Sequence, residues 1–500
     1  MTAKEVTSAL FLPSVVYFLS MVVQENRLAK LSGEARLLMG TEGRHVYHMS
    51  TEAALLALVA IARLNPEGDV QPRARNDVAS TLMTHHVVDD IIGLCVVPVD
   101  TSASTKTYAK NVSEAQNDFR WECRCSIAAI RLLVSCLPRV DEEGSVPDEQ
   151  TLEVEALRAV VDKTPDGKFL TYCAKNAIAP LIRVLLLSGS KSKQIDSPKR
   201  TKKKKKKKKK KSNSKENDEE DDEDEVKTPA FALPDLLVAV SFGLSRICCT
   251  MSTAEMAYKN NIIPALAKVV PTIPRLGPEF RVPDITKPDY RPEGALMGST
   301  VAADTAMLLQ LPASVVTLLA ALARVRKATE DLCGCGFLER MIERFYTASA
   351  TNPENDLKVW GECALFFGRV ARGGKNVKGY GSCNEVLVRS AVIPKLISMF
   401  SRQQKQHRRV RLHAMLAVSA LMEDSLMSAP IVMSDNMALA ICMIVAQDAL
   451  EIEPIRRQAL LIVRSISSFP NERYFAKLRG KYSKRRRSNV AVIIVKIVFY

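Results

Sequence analysis

Five hundred residues with 47% apolar and 25% charged side chains, at a mean hydropathy of −0.02, can bury a sizeable core, which excludes global disorder. Aromatics at 6%, with 21 Gly and 24 Pro, exclude a collagen or a turn-rich β-sandwich and point to helices. The formal net charge of +16 is uneven: residues 191–227 hold sixteen Lys/Arg against ten Asp/Glu, and residues 477–487 add seven cations, so an acidic partner is expected to meet those two segments rather than the nearly balanced body.

In chain order, residues 9–23 form an apolar stretch preceded only by Lys4 and interrupted by Pro13, Ser14 and Ser20, with no small-residue cleavage site after it. A first packing helix is expected there rather than a signal peptide. Loops are expected at 65–72, 99–118, 141–149 and 373–381. Residues 191–227 contain ten consecutive lysines (202–211) and eight consecutive acidic residues (218–225). Such a segment has too little apolar surface to offset its ordering entropy and is expected to be disordered. Residues 271–298 carry prolines at 271, 274, 278, 283, 288 and 292, a density no helix passes through. The last eleven residues, 490–500, are apolar but hold Lys496 and are too short to span a bilayer. No transmembrane segment and no membrane partner are expected. Of twelve cysteines, Cys248, Cys249, Cys363 and Cys442 lie in apolar runs as small hydrophobes. Without a short-spaced even framework, a reducing, intracellular setting is expected.

Between these breaks two patterns recur. Ala54-Leu-Leu-Ala-Leu-Val-Ala-Ile-Ala62 sets small residues opposite large aliphatics at helical spacing, and comparable segments begin at Ala128, Val240, Val315, Cys363, Ala414 and Ala459. Six of the seven are followed by a second pattern. Its clearest copies are Asn176-Ala-Ile-Ala-Pro-Leu-Ile-Arg-Val-Leu-Leu-Leu187, Asn260-Asn-Ile-Ile-Pro-Ala-Leu-Ala-Lys-Val-Val270 and Arg389-Ser-Ala-Val-Ile-Pro-Lys-Leu-Ile-Ser-Met-Phe400. A proline early in a helix is sensible, because a first-turn amide needs no intrahelical acceptor. Weaker copies begin at His86, Gly336 and Asn436. The first pattern starts at intervals of 74, 112, 75, 48, 51 and 45 residues, and removing the 37-residue charged linker turns 112 into 75. The last four copies approach the period of about 40–47 residues seen in helical repeat arrays.

This pairing resembles the armadillo repeat. Val392-Ile-Pro-Lys-Leu-Ile397 and Ile262-Ile-Pro-Ala-Leu266 match the family's Gly-x-Ile-Pro-x-Leu-like helix opening, and Ala57, Leu58, Ile61 and Ala62 match its preceding Ala-x-x-Ala-Leu-x-Asn-Ile-Ala helix. The resemblance covers most of residues 45–470, overlaps with HEAT-type arrays, and implies an all-α fold: an armadillo-like α-solenoid, a superhelix of stacked helices, with the charged segment as a disordered insertion. It divides the chain into repeats at 1–190, a linker at 191–227, a repeat at 228–270, a Pro-rich loop at 271–298, repeats at 299–475, and a basic tail with a terminal apolar helix at 476–500. Ile178, Pro180, Leu181, Ile263, Pro264, Leu266, Ile393, Pro394 and Leu396 are the expected repeat-core signature. Nuclear-import adaptors of this family line a concave groove with a Trp/Asn ladder. The matching slots here hold Leu56 and Ala60, Leu365 and Arg369, Leu416 and Ala420, so cargo binding of that kind is not expected.

No enzyme motif emerges. Gly373-Gly-Lys-Asn-Val-Lys-Gly-Tyr-Gly381 lacks the Walker spacing and reads as a loop. Cys123-Arg-Cys125 and Cys333-Gly-Cys335 find no second ligand pair at zinc spacing and read as packed small side chains. His45, His48, His85 and His86 have no His-Glu-x-x-His arrangement and are expected in loops and caps. No nucleophile is marked by Gly-x-Ser-x-Gly or by an activating cysteine context. No cofactor or metal is expected.

Pro198, Lys199, Arg200, Lys202, Lys203, Lys204 and Lys205 resemble a nuclear-localisation signal, and Lys484, Arg485, Arg486 and Arg487 form a second cationic cluster. Three alternatives stand for the lysine tract: an import signal, a phosphate or anionic-surface contact that is salt-sensitive and sequence-blind, and a solubilising linker. The expected function is a non-enzymatic scaffold that binds proteins through its solenoid surface, its basic segments directing it to the nucleus, with the cytoplasm as alternative, or engaging an import receptor. The second reading is a nucleic-acid or ribonucleoprotein-associated protein that grips phosphate through residues 202–211 and 484–487.

Overall fold

Proline opens the first helix. Pro13 heads α1 (Pro13–Glu25), where a missing amide hydrogen costs nothing, so the residue expected to interrupt the N-terminal apolar stretch starts its helix instead. The structure, a computed structural model, describes residues 13–25, 40–63, 73–104, 112–138, 163–192, 232–269, 311, 313–346, 353–373, 383–400, 408–424, 432 and 436–468. The linker at 191–227 (all but its first two residues), the Pro-rich segment 271–298 and the tail 476–500 lie outside the described residues. Among the described residues there are helices and no strands. They are α2 (Gly40–Arg63), α3 (Arg73–Thr84), α4 (Val87–Ser104), α5 (Val112–Cys136), α6 (Pro165–Asn176), α7 (Ile178–Ser192), α8 (Ala232–Ile247), α9 (Met251–Lys259), α10 (Ile262–Val269), α11 (Ala313–Leu322), α12 (Arg326–Gly334), α13 (Phe337–Tyr346), α14 (Pro353–Gly373), α15 (Cys383–Arg389), α16 (Val392–Ser398), α17 (Arg408–Asp424), α18 (Asn436–Gln447) and α19 (Glu453–Ser468). The loop expected over 99–118 is shorter than that. Pro98 costs α4 one backbone bond without ending it, and α5 is already helical at Val112.

The chain is an armadillo-like helical repeat, and its internal geometry shows it. Each unit is a first helix, then two helices joined by a tight bend: α2–α3–α4, α5–α6–α7, α8–α9–α10, α11–α12–α13 and α14–α15–α16. Three helices per unit is the armadillo plan, whereas HEAT units have two. In four of the five, the residue before the third helix is left-handed: His86 (φ 57°), Asn261 (61°), Gly336 (81°) and Ala391 (53°). Each donates its N–H to the carbonyl three residues back, at 3.2, 3.0, 3.0 and 3.2 Å, onto Met83, Tyr258, Cys333 and Val388. This is a helix C-cap that reverses the chain within one residue. The fifth copy bends differently: Ala177 stays right-handed (φ −99°, ψ −25°) and bonds the Cys173 carbonyl four residues back.

The helices gather into two compact units, residues 1–132 with 180–240, and 133–179 with 241–500. In the first, α1 packs on α2, α3 and α4, and α2 and α4 both pack on α3. In the second, α6 packs on α9, α9 on α11 and α10 on α12, while α11, α14, α17 and α19 stack in succession. Arginines tie successive layers there: Arg246 donates to the Pro138 carbonyl (3.2 Å), Arg324 to that of Cys249, and Arg369 to that of Ala320. They satisfy acceptors that helix ends leave open. α14 comes close against α17, where a Cβ on Gly368 would lie 3.1 Å from the Ala417 Cα and 3.3 Å from its amide nitrogen.

Two expectations follow. Ala391→Gly relieves the left-handed strain and raises stability by about 0.5–1 kcal/mol, whereas Ala177→Gly lowers it by a similar or larger amount. Urea unfolding followed by circular dichroism measures both, and equal signs would contradict the hinge. Gly368→Val drives its methyls into the α17 backbone and costs about 1–3 kcal/mol, read by the same unfolding midpoints.

Candidate functional site

The expected repeat-core residues divide by helix face. Ile178, Leu181, Ile263, Leu266, Ile393 and Leu396 are buried, while Pro264 and Pro394 are exposed and Pro180 is half-buried. Pro198, Lys199, Arg200, Lys202, Lys203, Lys204, Lys205, Lys484, Arg485, Arg486 and Arg487 lie outside the described residues. Lys395, the cation of the third signature copy, is used internally. Its ammonium sits 4.7, 4.9 and 4.6 Å from the ring centroids of Phe345, Tyr346 and Trp360 and donates to the Phe345 carbonyl.

The ladder slots also divide. Leu365, Arg369, Leu416 and Ala420 are buried, because α14 and α17 have helices on both flanks. Leu56 and Ala60 are exposed. They belong to a stripe on α2 formed by Val46, Met49, Ala53, Leu56 and Ala60, spaced three and four residues apart and so on one helix face. Val46 is 66% exposed, Met49 54% and Leu56 39%, while Leu55, Leu58, Val59 and Ile61 on the other side are buried. By length and composition, the segment from Glu42 to Arg63 could cross a membrane, at a mean hydropathy of 1.2. Its buried side, however, packs into a core that also takes in Arg44, His48 and Thr51, as a core helix does.

Along one edge of the stripe runs α5. His45 stacks on Trp121 with centroids 4.4 Å apart, and Arg124 forms a salt bridge with Glu52 at 3.0 Å. Below them the Cys125 thiol donates to the His48 carbonyl at 3.4 Å. His45 and His48 therefore sit within α2, not in a loop or cap, because that helix begins fourteen residues before its apolar signature. His86 is the left-handed hinge residue. On the solvent side of α5, Arg120, Arg124 and Arg131 are exposed at spacings of four and seven residues. The apolar stripe of α2 and the arginine-bearing side of α5 thus share a border at the His45–Trp121 stack. Trp121 was not singled out by sequence reasoning; its spacing to the arginines on one amphipathic helix is the signal that could have found it.

Burial, reinforced by Glu52 and Glu122, pushes the Cys125 thiol up to about 12, so beside His48 it stays protonated and is no nucleophile. The Cys333 and Cys383 thiols hydrogen-bond to each other, which raises the first and lowers the second. Among the described residues no three His, Cys, Asp or Glu side chains gather where they could hold a metal ion. A depression of about 340 Å³ between α1 and α3 is lined by Ser14, Tyr17, Ser80, Thr81, Thr84 and His85, but the Thr81 and Thr84 hydroxyls turn back to the Asp77 and Ser80 carbonyls.

No protein-family description matches the sequence, and no curated relative matches it. Solved structures do: an engineered protein (10% identity, TM-score 0.36, 76% of this chain and 96% of that one) and a designed armadillo repeat protein (9%, 0.35, 67% and 98%). A second designed armadillo repeat protein, in complex with the peptide (KR)4, gives 11% identity and a TM-score of 0.33 over 64% of this chain and 95% of that one. These superpositions are loose, and the repeat assignment rests on the recurring hinge.

A neutral thiol at Cys125 favours folding below the ordinary cysteine value of 9.0, and its contribution is lost as pH rises from there towards about 12, where the folded thiol ionises. Iodoacetamide at neutral pH is therefore expected to leave Cys125 unmodified in the native protein and to alkylate it in urea. Peptide mapping by mass spectrometry reads this directly.

Proposed function

We propose that this chain is a non-enzymatic helical-repeat scaffold that binds another protein through the α2–α5 face. One observation carries this: Val46, Met49 and Leu56 stand in water on the outer face of a helix whose inner face is already packed. Fully burying side chains of this kind yields about 1.5–3 kcal/mol each, of which the folded chain collects only a part here. Exposed apolar side chains gathered on one helix face are a feature of interaction surfaces. The basic segments 198–205 and 484–487 serve, in this proposal, to direct the scaffold to the nucleus or to add electrostatic affinity. The competing assignment is a phosphate-binding protein led by the ten lysines of residues 202–211.

Cross-linked affinity purification with three baits separates the two. The baits are the full chain, the chain lacking residues 191–227, and Met49→Lys/Leu56→Lys, whose substitutions touch only exposed positions and should leave thermal unfolding within about 0.5 kcal/mol of the parent. A defined set of proteins that survives the linker deletion and is lost with the double substitution is the expected result. Material that is rich in nucleic acid, falls steeply between low and physiological salt and vanishes with the deletion would assign the function to the lysines.

A further inference from the structure

Two cysteines outside the interaction surface meet inside the second compact unit. Cys333 lies in the last turn of α12 and Cys383 opens α15, and both side chains are fully buried. The last turn of α14 anchors both helices. Thr329, one turn before Cys333, lies beside Gly373, where an added Cβ would stand 3.2 Å from the threonine Oγ1. Asn384, next to Cys383, donates from Nδ2 to the Ala371 carbonyl at 3.4 Å. With the two helices held there, the Cys333 and Cys383 thiols hydrogen-bond to each other. The Cys333 S–H is the donor: the bond lowers Cys383 and raises Cys333, while burial and the nearby Glu339 of α13 oppose charge on either sulfur. Cys125, Cys363 and Cys442 are instead pushed up by burial to about 12. Cys383 is thus a thiol whose surroundings favour its anion, with a second thiol already in contact.

We infer that Cys333 and Cys383 form a redox-modification site, which a peroxide closes into a reversible disulfide between α12 and α15. The step balances with hydrogen peroxide as the two-electron oxidant. The Cys383 thiolate attacks one peroxide oxygen, the O–O bond breaks, and the leaving hydroxide takes up a proton as water. Cys383 is then a sulfenic acid. Cys333 gives up its proton and attacks that sulfur; the S–O bond breaks, the S–S bond forms, and a second water leaves. Two thiols are oxidised to one disulfide and one peroxide is reduced to two waters. The sulfurs start in hydrogen-bond contact and close to about 2.05 Å. Access needs only a small opening: α15 has seven residues, too few to be stable alone, so it opens locally at little cost and admits a molecule the size of peroxide.

The test treats the full chain with hydrogen peroxide, quenches with catalase, unfolds it in urea, alkylates the remaining thiols with iodoacetamide and maps tryptic peptides by mass spectrometry. The expected product is a disulfide joining peptides 328–340 and 379–389 in most molecules, while Cys125, Cys363 and Cys442 are still alkylated. Dithiothreitol should remove it. Peptide 328–340 also holds Cys335, so Cys335→Ser should keep the link and Cys333→Ser should lose it. In Cys333→Ser, dimedone should label Cys383 as a sulfenic acid, because the resolving thiol is gone. The bond closes a loop between positions 333 and 383, so the oxidised chain should unfold at a temperature higher by at least about 4 °C, a rise absent from Cys383→Ser. A link that survives Cys333→Ser but is lost in Cys335→Ser would assign the site to Cys335 and overturn the pairing. In the unsubstituted chain, where no variant's folding enters, either no link or indiscriminate oxidation of all the buried cysteines would overturn the site itself. A midpoint that falls once the link has formed would do the same, since the native packing would then have to distort to close it.

Discussion

A single left-handed residue between the second and third helices, found in four of the five units, is the constraint on which most of the repeat depends. In the fifth, Ala177 stays right-handed and α6 and α7 still bend by 48°, which also brings Ile178 and Leu181 into the core. With the left-handed residue, Ile263 and Leu266, or Ile393 and Leu396, enter the interior within a turn of the preceding helix. The cap bonds that accompany the turn occupy the amide of each left-handed residue at the bend. Only Gly336 is glycine, so His86, Asn261 and Ala391 hold a conformation that costs an ordinary residue about 1–2 kcal/mol. Packing on both sides must supply that energy, which makes each hinge a point where local preference yields to the array.

Once the bends are set, the first helices of successive units can stack. In the larger compact unit α14 illustrates the result: it lies between α11 and α17, touches α17 through Gly368, and lends Arg369 to a carbonyl of α11. Its apolar signature is buried all round. The equivalent helix α2, in the other unit, is packed on one side only and leaves its remaining face in solvent. One sequence pattern thus produces a core helix in one place and a surface stripe in another. The difference lies in the neighbours, not in the helix.

How far the residues alone foretold this can be judged position by position. Helical periodicity and the Pro-containing second signature located the third helices, since a 3.6-residue apolar repeat and a first-turn proline are local properties. The hinges were hidden, because His86, Asn261 and Ala391 carry no glycine to announce a positive φ. Pro13 misled for a related reason: its effect depends on whether a helix begins or continues there. The histidines at 45 and 48 read as loop residues, because the fourteen polar-rich residues before Ala54 lack the apolar signature that marks the rest of α2.

The sequence by itself determined that the chain is helical, that its apolar faces recur, and where its charge is concentrated, because periodicity, proline placement and charge runs act within a few residues of themselves. Tertiary structure alone decided which apolar faces meet other helices and which meet water. Leu56 and Leu365 occupy like slots in like segments, yet one is 39% exposed and the other 7%. Burial is a property of the surrounding layers, brought together from residues far apart in the chain, and no local pattern encodes it.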